Sequence, residues 1–244
     1  MRADQDAYGQ EVYDFYRGEK VVEIVERDDK YIDASGGPAA YFAPFAQWPV
    51  IEQEAIQLAE GRVLDVGCGP GRVALYLQEK GHEVVGIDNS PLAVKTARLR
   101  GVADARVLSI TRVSRKVLGL FDTIVMFGNN FGLFGSFRRA KWLLRRFYRM
   151  TGDNGRILAE SRNIYETDNP AHLAFHERNR QRGRMSGQVR IRVRYQTIIG
   201  PWFDYLMVSP DEMRQIVADT GWHVAQIIRG DEGGMYTAVL EKAL

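Results

Sequence analysis

The chain of 244 residues holds one cysteine, Cys68, and four histidines. A single cysteine excludes an intramolecular disulfide. These few residues show no ligand spacing, so no zinc or other metal site is expected. No stretch approaches the about 18 apolar residues that a membrane helix needs. The opening Met1-Arg2-Ala3-Asp4-Gln5-Asp6 is polar and lacks the apolar region of a signal peptide. These features predict a cytoplasmic protein without membrane association. Neither charge sign dominates: 33 basic residues face 31 acidic ones, for a net charge of +2. No global field therefore points to a polyanionic partner, and any basic bias must be local. The hydrophobic share of 45% and charged share of 26% are those of an ordinary globular protein. The length suits one sizeable α/β domain, alone or with a small lid.

Tyr8, Val12, Phe15 and Tyr16 recur at helical spacing and predict an amphipathic helix over residues 8–17. Over residues 21–34, Val22 and Ile24 alternate with charged neighbours, Asp28-Asp29 makes a turn and Tyr31-Ile32 follows. This predicts a β-hairpin. Gly36-Gly37-Pro38 is a break, and a helix is expected over residues 49–60. From residue 62 onward short apolar runs alternate with helical segments. Residues 63–66, 83–87, 105–109, 121–127 and 156–160 read as strands, and residues 73–80, 91–100 and 137–150 as helices. This alternation predicts a parallel sheet covered on both faces.

The alternation stops at Ser161. Residues 161–208 contain two strand-like runs, 188–199 and 202–208, parted by Gly200-Pro201. It resumes at Ser209-Pro210-Asp211-Glu212, a capping box with proline in the first turn. Strands over residues 222–229 and 236–242 close the chain. The expected division is an N-terminal helix and hairpin (1–50), a core (51–160 and 209–244) and an insert (161–208). The N-terminal part and the insert are expected to form a lid at the carboxyl edge of the sheet.

Val63-Leu64-Asp65-Val66-Gly67-Cys68-Gly69-Pro70-Gly71-Arg72 is an apolar strand that runs through a glycine turn into a helix. That is the form of a nucleotide-binding turn. GxGxG alone serves several nucleotide folds. Asp65 narrows the choice. A dinucleotide lays its pyrophosphate over such a turn, and a partly buried carboxylate at the strand end repels it. Asp88 lies 17 residues beyond Gly71, at the end of the next strand. A carboxylate there accepts hydrogen bonds from both ribose hydroxyls. The spacing also departs from GxGxxG, and no Lys-Ser/Thr follows to make a P-loop. A nucleoside with positive charge and no phosphate fits best. S-adenosylmethionine, with its ammonium and sulfonium, is such a ligand.

The segments VLDVGCGPGR and VVGIDNSP resemble the first two motifs of the class I S-adenosylmethionine-dependent methyltransferases. The similarity covers residues 62–160 and, more loosely, 209–244. It implies an α/β fold, a three-layer α/β/α sandwich on a mostly parallel seven-stranded sheet whose last strand is antiparallel. The insert would add a small antiparallel β lid. It implies S-adenosylmethionine as cofactor and S-adenosylhomocysteine as product. Gly67, Cys68, Gly69 and Gly71 would line the methionine end, flanked by Asp65 and Arg72, while Asp88 and the adjoining Asn89 would hold the ribose. The family usually offers an acidic residue to the adenine amine. Here Ser109-Ile110-Thr111-Arg112 stands instead, so the backbone of Ile110 is the expected adenine contact. Met126-Phe127-Gly128-Asn129-Asn130 would pass under the methyl group, which adds Phe127 to the cofactor set. This segment lacks the Asn-Pro-Pro-aromatic sequence of enzymes that methylate exocyclic base or glutamine nitrogens, which disfavours those substrates.

Methyl transfer from a sulfonium is an in-line displacement that needs alignment and exclusion of water more than a dedicated catalytic residue. Some nucleophiles need a general base as well. His172 and His176, four apart, share a helical face; the readings are a general base, with His176 the candidate, or a pair of metal ligands that would need Glu177 or Asp168 as a third without motif support, against a surface or capping role. Asn129, Asn130, Phe131 and Phe134 follow the fourth strand at the carboxyl edge, where open α/β sheets bind ligands. Trp202 and Tyr205 offer aromatic surface beside Asp204, and Tyr41 precedes the core. These are the candidate substrate residues, each weighed against simple core packing.

Arg178, Arg180, Arg182, Arg184, Arg190, Arg192 and Arg194 make the strongest local charge feature, and Arg190, Arg192 and Arg194 alternate with Val189, Ile191 and Val193 and so share a strand face. Residues 137–150 carry Arg138, Arg139, Lys141, Arg145, Arg146 and Arg149. Such faces are either solvated edges or patches for RNA or an anionic substrate. The near-neutral charge and the lack of an appended RNA-binding module favour the first. The expected function is methyl transfer to an oxygen or nitrogen of a small molecule. The alternatives are an RNA methyltransferase that uses the arginine face of the insert, and a cofactor-binding protein without catalysis.

Overall fold

The computed structural model describes residues 2–34, 37–230 and 233–243. Gly36, part of the expected break, lies outside the described residues. Helix α1 (Ala7–Tyr16) starts at Asp6, whose side chain accepts the Gly9 N–H at 3.0 Å. Strands β1 (Ile24–Arg27) and β2 (Ile32–Ala34) form the expected antiparallel hairpin. Helices α2 (Ala39–Phe42) and α3 (Val50–Ile56) follow. Helix α3 is shorter than the helix expected over residues 49–60. Arg156 donates to the Leu58 carbonyl at 2.9 Å, and Thr123 Oγ1 bonds both the N–H and the carbonyl of Glu60. Of these groups the Glu60 N–H is the one that a longer helix would have used, and Thr123 takes it.

Then come β3 (Val63–Val66), α4 (Arg72–Glu79), β4 (Val84–Asp88), α5 (Pro91–Leu99), β5 (Ala105–Val107), α6 (Arg115–Leu118) and β6 (Phe121–Met126). They are followed by α7 (Phe137–Tyr148), β7 (Thr151–Arg162), α8 (Pro170–Gln181), β8 (Gln188–Tyr195), β9 (Ile198–Ile199) and β10 (Phe203–Leu206). The last elements are α9 (Pro210–Val217), β11 (Trp222–Arg229) and β12 (Met235–Lys242).

Seven strands form a mixed sheet in the order β11-β12-β7-β6-β3-β4-β5, with helices around it. β3, β4 and β5 run parallel, as do β6 and β7, while β12 is antiparallel to both β7 and β11. This is the sheet that the resemblance implied. Every residue of β3 is buried, as a central parallel strand covered on both faces requires. A smaller antiparallel sheet has the order β10-β8-β1-β2, with β9 on β8. It joins the N-terminal hairpin to the insert. The single run expected over residues 188–199 is broken: Gln196, at φ 51°, turns the chain so that Tyr195 pairs with Ile198.

The chain forms two compact units. The first holds the residues up to Trp48 with 61–112 and 190–203. The second holds 49–60, 113–189 and 204 onward. In the second, α7 buries Ala140, Leu143, Leu144 and Phe147 and turns Arg138 and Arg145 outward, with Arg149 exposed at its C-cap. The Trp222 indole donates to the Leu144 carbonyl at 2.9 Å. Among the described residues no helix is long and apolar enough to cross a membrane.

The capping box forms as the sequence predicts: Ser209 Oγ accepts the Glu212 N–H at 3.2 Å and Glu212 returns a carboxylate oxygen to the Ser209 N–H at 2.9 Å. Ser209→Ala is expected to lower unfolding stability by about 1 kcal/mol, read from the urea midpoint.

Candidate functional site

In the first unit, β3 gives way to a turn through Gly67, Gly69 and Gly71, at φ 73°, 51° and 85°. Side chains resist such values. A Cβ on Gly71 would also run into Val102 and Ala97. The N–H groups of Gly67 and Cys68 both donate to the Ile87 carbonyl, at 2.8 and 3.0 Å, which ties the turn to β4. At the end of β4 the Asp88 carboxylate accepts the Gly69 N–H at 3.1 Å and the Ser90 N–H at 2.9 Å. Burial pushes the Asp88 carboxyl up to about 6, against the pull of those N–H donors and with a contribution from Asp6. The Leu108 N–H donates to the Asp88 carbonyl at 2.8 Å, so the segment leading to Ile110 starts from the same strand end.

Asp6 is wholly buried. Its Oδ1 caps α1, while Oδ2 accepts Ser90 Oγ at 2.9 Å and the Leu92 N–H at 3.1 Å. Ser90 Oγ in turn caps α5 through the Ala93 N–H at 3.0 Å. One carboxylate therefore engages the starts of α1 and α5, next to the residue that holds Asp88. Two residues further on, the Tyr8 hydroxyl rests on Gly69: a Cβ there would stand 2.6 Å from it. The Tyr8 phenol is raised by burial and then by Tyr41, Asp88, Glu23 and Glu11. Burial also raises the Cys68 thiol, with Asp65 and Asp88 adding to it. The charges that dominate both shifts are acidic.

The structure thus gathers Asp65, Gly67, Cys68, Gly69, Gly71 and Asp88 around the ends of β3 and β4. Asn89 is exposed, and Ile110 is buried at the start of a short helical turn after β5. Arg72 lies over the Trp48 ring at 4.5 Å. The Tyr41 hydroxyl donates to both carboxylate oxygens of Glu23 at 3.1 Å, and its ring meets Tyr8 edge-on at 5.8 Å. Arg192 covers the Trp202 ring at 4.4 Å and pairs with Glu26 of β1 at 2.8 Å, and Arg194 reaches the same carboxylate at 3.3 Å. Arg190 is exposed.

In the second unit β6 ends in the buried Phe127, followed by Gly128 at φ 69° and Asn129 at φ 62°. For a residue with a side chain this costs about 1 kcal/mol or more. Glu160 holds the turn, accepting the Asn129 N–H at 2.8 Å and the Gly128 N–H at 3.3 Å. Glu52 accepts the Gly128 N–H at 3.3 Å as well. Both glutamates are buried. Burial, then the Glu52 charge, pushes the Glu160 carboxyl well above the usual carboxylate range. The Tyr205 hydroxyl donates to the Asn129 carbonyl at 2.5 Å, and its ring covers Gly132. Asn129 and Tyr205 are therefore brought together, with Asn130 half-buried beside them. Phe131 is wholly buried, edge-on to Phe134 at 4.8 Å in the core. His176 is buried on α8, 6.5 Å from the Tyr165 ring. Among the described residues no group of three or more His, Cys, Asp or Glu is placed to hold a metal.

Sequence reasoning missed Asp6, Tyr8, Glu11, Glu23, Glu52 and Glu160. Asp6 carries a local signal, since an acidic residue just before a helix is a cap. Its second partner, Ser90, is 84 positions away. Glu160 follows the apolar run Ile157-Leu158-Ala159 within β7 and is buried with it, a position where an acid needs a reason.

A methyltransferase-domain family model matches residues 63–155. A solved S-adenosylmethionine-dependent methyltransferase from Bacteroides fragilis, in complex with S-adenosyl-L-homocysteine, is 30% identical. That match covers 100% of this chain and 98% of the other, with a TM-score of 0.84. The ubiquinone biosynthesis O-methyltransferase of Xanthomonas oryzae pv. oryzae (strain PXO99A) is 39% identical over 74 residues, 28% of this chain and 31% of that protein. The glycine/sarcosine N-methyltransferase of Parasynechococcus marenigrum is 28% identical over 175 residues, 66% of this chain and 58% of that protein. The chain thus spans between about a third and three fifths of the length of these two curated relatives.

A Cβ on Gly9 would collide with Ser90 Oγ and the Asp6 carboxylate. Gly9→Ala is expected to cost about 1–3 kcal/mol and to speed amide hydrogen exchange across residues 7–16. In the Glu52–Glu160 pair the folded state retains a proton that the unfolded chain gives up, so the pair's contribution is lost as pH rises above the ordinary carboxylate value. Glu52→Gln removes the like charge. The urea midpoint of this variant should fall less than that of the wild type between pH 5 and pH 8.

Proposed function

The chain belongs to the S-adenosylmethionine-dependent methyltransferases, and on that footing we propose that it methylates an oxygen or nitrogen of a small molecule. The observation that carries this reading is Asp88. Its carboxylate sits at the glycine turn, takes one N–H on each oxygen, and is accompanied by Asp65, Glu11 and Glu23 rather than by bases. A carboxylate has about four acceptor sites, so Asp88 retains capacity for two ribose hydroxyls. The acids around the turn suit a cationic nucleoside and oppose a phosphate.

S-adenosylmethionine supplies an activated methyl group when bound. The chain's own part is to orient and enclose it. Asp88 holds the ribose, Gly67, Cys68 and Gly69 bring backbone close to the methionine end, and Ile110 offers its backbone to the adenine. Tyr8, poised on Gly69, covers the turn. A small acceptor is favoured over RNA because Glu26 engages both Arg192 and Arg194 and cancels half of their charge. The curated relatives point the same way, being named for ubiquinone biosynthesis and for glycine and sarcosine.

Isothermal titration should show S-adenosylmethionine binding, weakened at least tenfold by Asp88→Ala. With the Asp88 carboxyl at about 6, its acceptor capacity is lost on protonation. Wild-type affinity should therefore fall as pH drops through 6, and the variant's should not. No binding at millimolar cofactor would sink the reading. Steeply salt-dependent RNA binding would move the acceptor to nucleic acid.

A further inference from the structure

Positive charge is unevenly placed along the chain. Residues 113–149 hold eight basic side chains and one acid, Asp122, against a whole-chain excess of two. The remainder therefore carries an acidic excess of five. Within the second unit this charge is concentrated on α7. Arg138, Trp142, Arg145 and Arg149 follow one another at steps of four, three and four, which makes one helical stripe. All four are exposed, opposite the buried Ala140, Leu143, Leu144 and Phe147. Arg146 donates to the Val113 carbonyl at 3.0 Å and so ties α7 to the segment entering α6, where Arg115, Lys116 and Val117 are exposed. An open cleft of about 710 Å³ lies where they join. Arg115 and Leu120 line it from α6 and its exit, Tyr148 and Arg149 from the end of α7, and residues 151–153 from the start of β7. Its one acid, Asp153, acts on Lys242, which donates to the Thr151 carbonyl at 3.0 Å. Asp219, beside α7, pairs with Lys141 at 3.8 Å. Apolar side chains stand among these charges: Trp142 is 43% exposed, Tyr148 36%, Val117 50% and Leu120 39%. Exposed apolar surface with a polar rim marks a place of contact.

We propose that this face of the second unit docks onto a membrane surface rich in anionic phospholipid, with the phosphodiester of one headgroup held in the cleft by Arg115 and Arg149. Charge complementarity fixes the occupant. Arg115, Lys116, Arg138, Arg145 and Arg149 are exposed, and none is paired with an acid among the described residues. Each such cation adds to the attraction of a negative leaflet. Guanidinium forks suit phosphate oxygens, and Leu120 and Tyr148 beside them offer apolar surface to the glycerol and the upper acyl chain. Tryptophan is favoured at the membrane–water interface. Interfacial binding grows with the apolar area buried and with attraction to anionic lipid, and this face supplies both. RNA would bring phosphates too, but its bases stack on open aromatic rings. Here the Trp142 ring already carries the Arg146 guanidinium at 4.4 Å, and the Tyr148 ring carries Lys242 Nζ at 4.1 Å. Val117 and Leu120 gain nothing from a phosphate backbone, whereas lipid withdraws them from water. The sequence expectation of no membrane association rests on the lack of a spanning or signal segment, and docking of this kind needs neither.

The test is sedimentation of the intact protein with vesicles of phosphatidylcholine, either alone or with one third phosphatidylglycerol. Binding to the mixed vesicles should be at least tenfold stronger than to phosphatidylcholine. It should weaken as salt rises past about 0.1 M, where the Debye length is about 10 Å. Arg138→Glu combined with Arg145→Glu should lower it at least tenfold, and so should Arg115→Glu combined with Arg149→Glu. These residues are exposed, so the urea midpoints of both variants should stay near that of the wild type. Tryptophan fluorescence should shift to the blue on the mixed vesicles, and Trp142→Phe should lose that shift. The wild-type lipid preference and this spectral readout hold even if a charge-reversed variant fails to fold. Equal binding to the two kinds of vesicle, binding to neither, folded charge-reversed variants that bind as the wild type does, or a blue shift retained in Trp142→Phe would overturn the proposal. Inorganic phosphate bound in calorimetry by a protein that ignores the vesicles would assign the cleft to a free anion and overturn it. Displacement from the mixed vesicles by a trace of oligouridylate would assign the face to RNA and overturn it too.

Discussion

The first unit depends on one carboxylate and the two backbone donors that it joins. Asp88 binds the N–H of Gly69 and the N–H of Ser90. It thereby fixes the end of β4, the glycine turn and the start of α5 to one another. Ser90 passes the constraint on through its hydroxyl to Asp6 and so to α1. The arrangement is tolerable only because backbone donors offset part of the cost of burying the charge. It leaves Asp88 partly relieved, at a value where small changes of pH alter its acceptor capacity.

Buried acids recur with a purpose in both units. In the second, Glu160 and Glu52 secure Gly128 and Asn129 in a conformation that Asn129 resists on its own. In the first, Glu11 and Glu23 stand beside Tyr8 and Tyr41. Each pair keeps a proton because two like charges cannot both ionise cheaply out of water. The difference lies in satisfaction. Glu160 is occupied by backbone N–H groups, which suits a structural clamp. Glu11 is instead hydrogen-bonded to Glu23, the acid with which it shares that proton.

The glycine turn, the alternation of strands and helices, the N-terminal hairpin and the capping box at Ser209 were legible because each is written in neighbouring residues. The spacing of Asp65, the glycines and Asp88 carried the cofactor class for the same reason. Other expectations failed where distant groups intervened. Thr123 takes the Glu60 N–H that a longer α3 would use, and within its own segment Gln196 splits a run whose apolar pattern gave no hint of a turn. Phe131 looked as available as Asn129, yet contact with Phe134 draws it into the core while Asn129 stays at the turn.

By itself the sequence determined the α/β class, the nucleotide turn and the preference for a cationic, phosphate-free nucleoside, since these follow from local spacing and the sign of nearby charge. Only the tertiary structure decided which side chains share a site. Asp6 meets Ser90 across 84 positions, and Tyr41 meets Glu23 across 18. The ionisation of Glu11, Asp88 and Glu160 depends on burial and on acids from other elements. Desolvation and charge proximity are properties of folded space, which no reading of adjacent residues supplies.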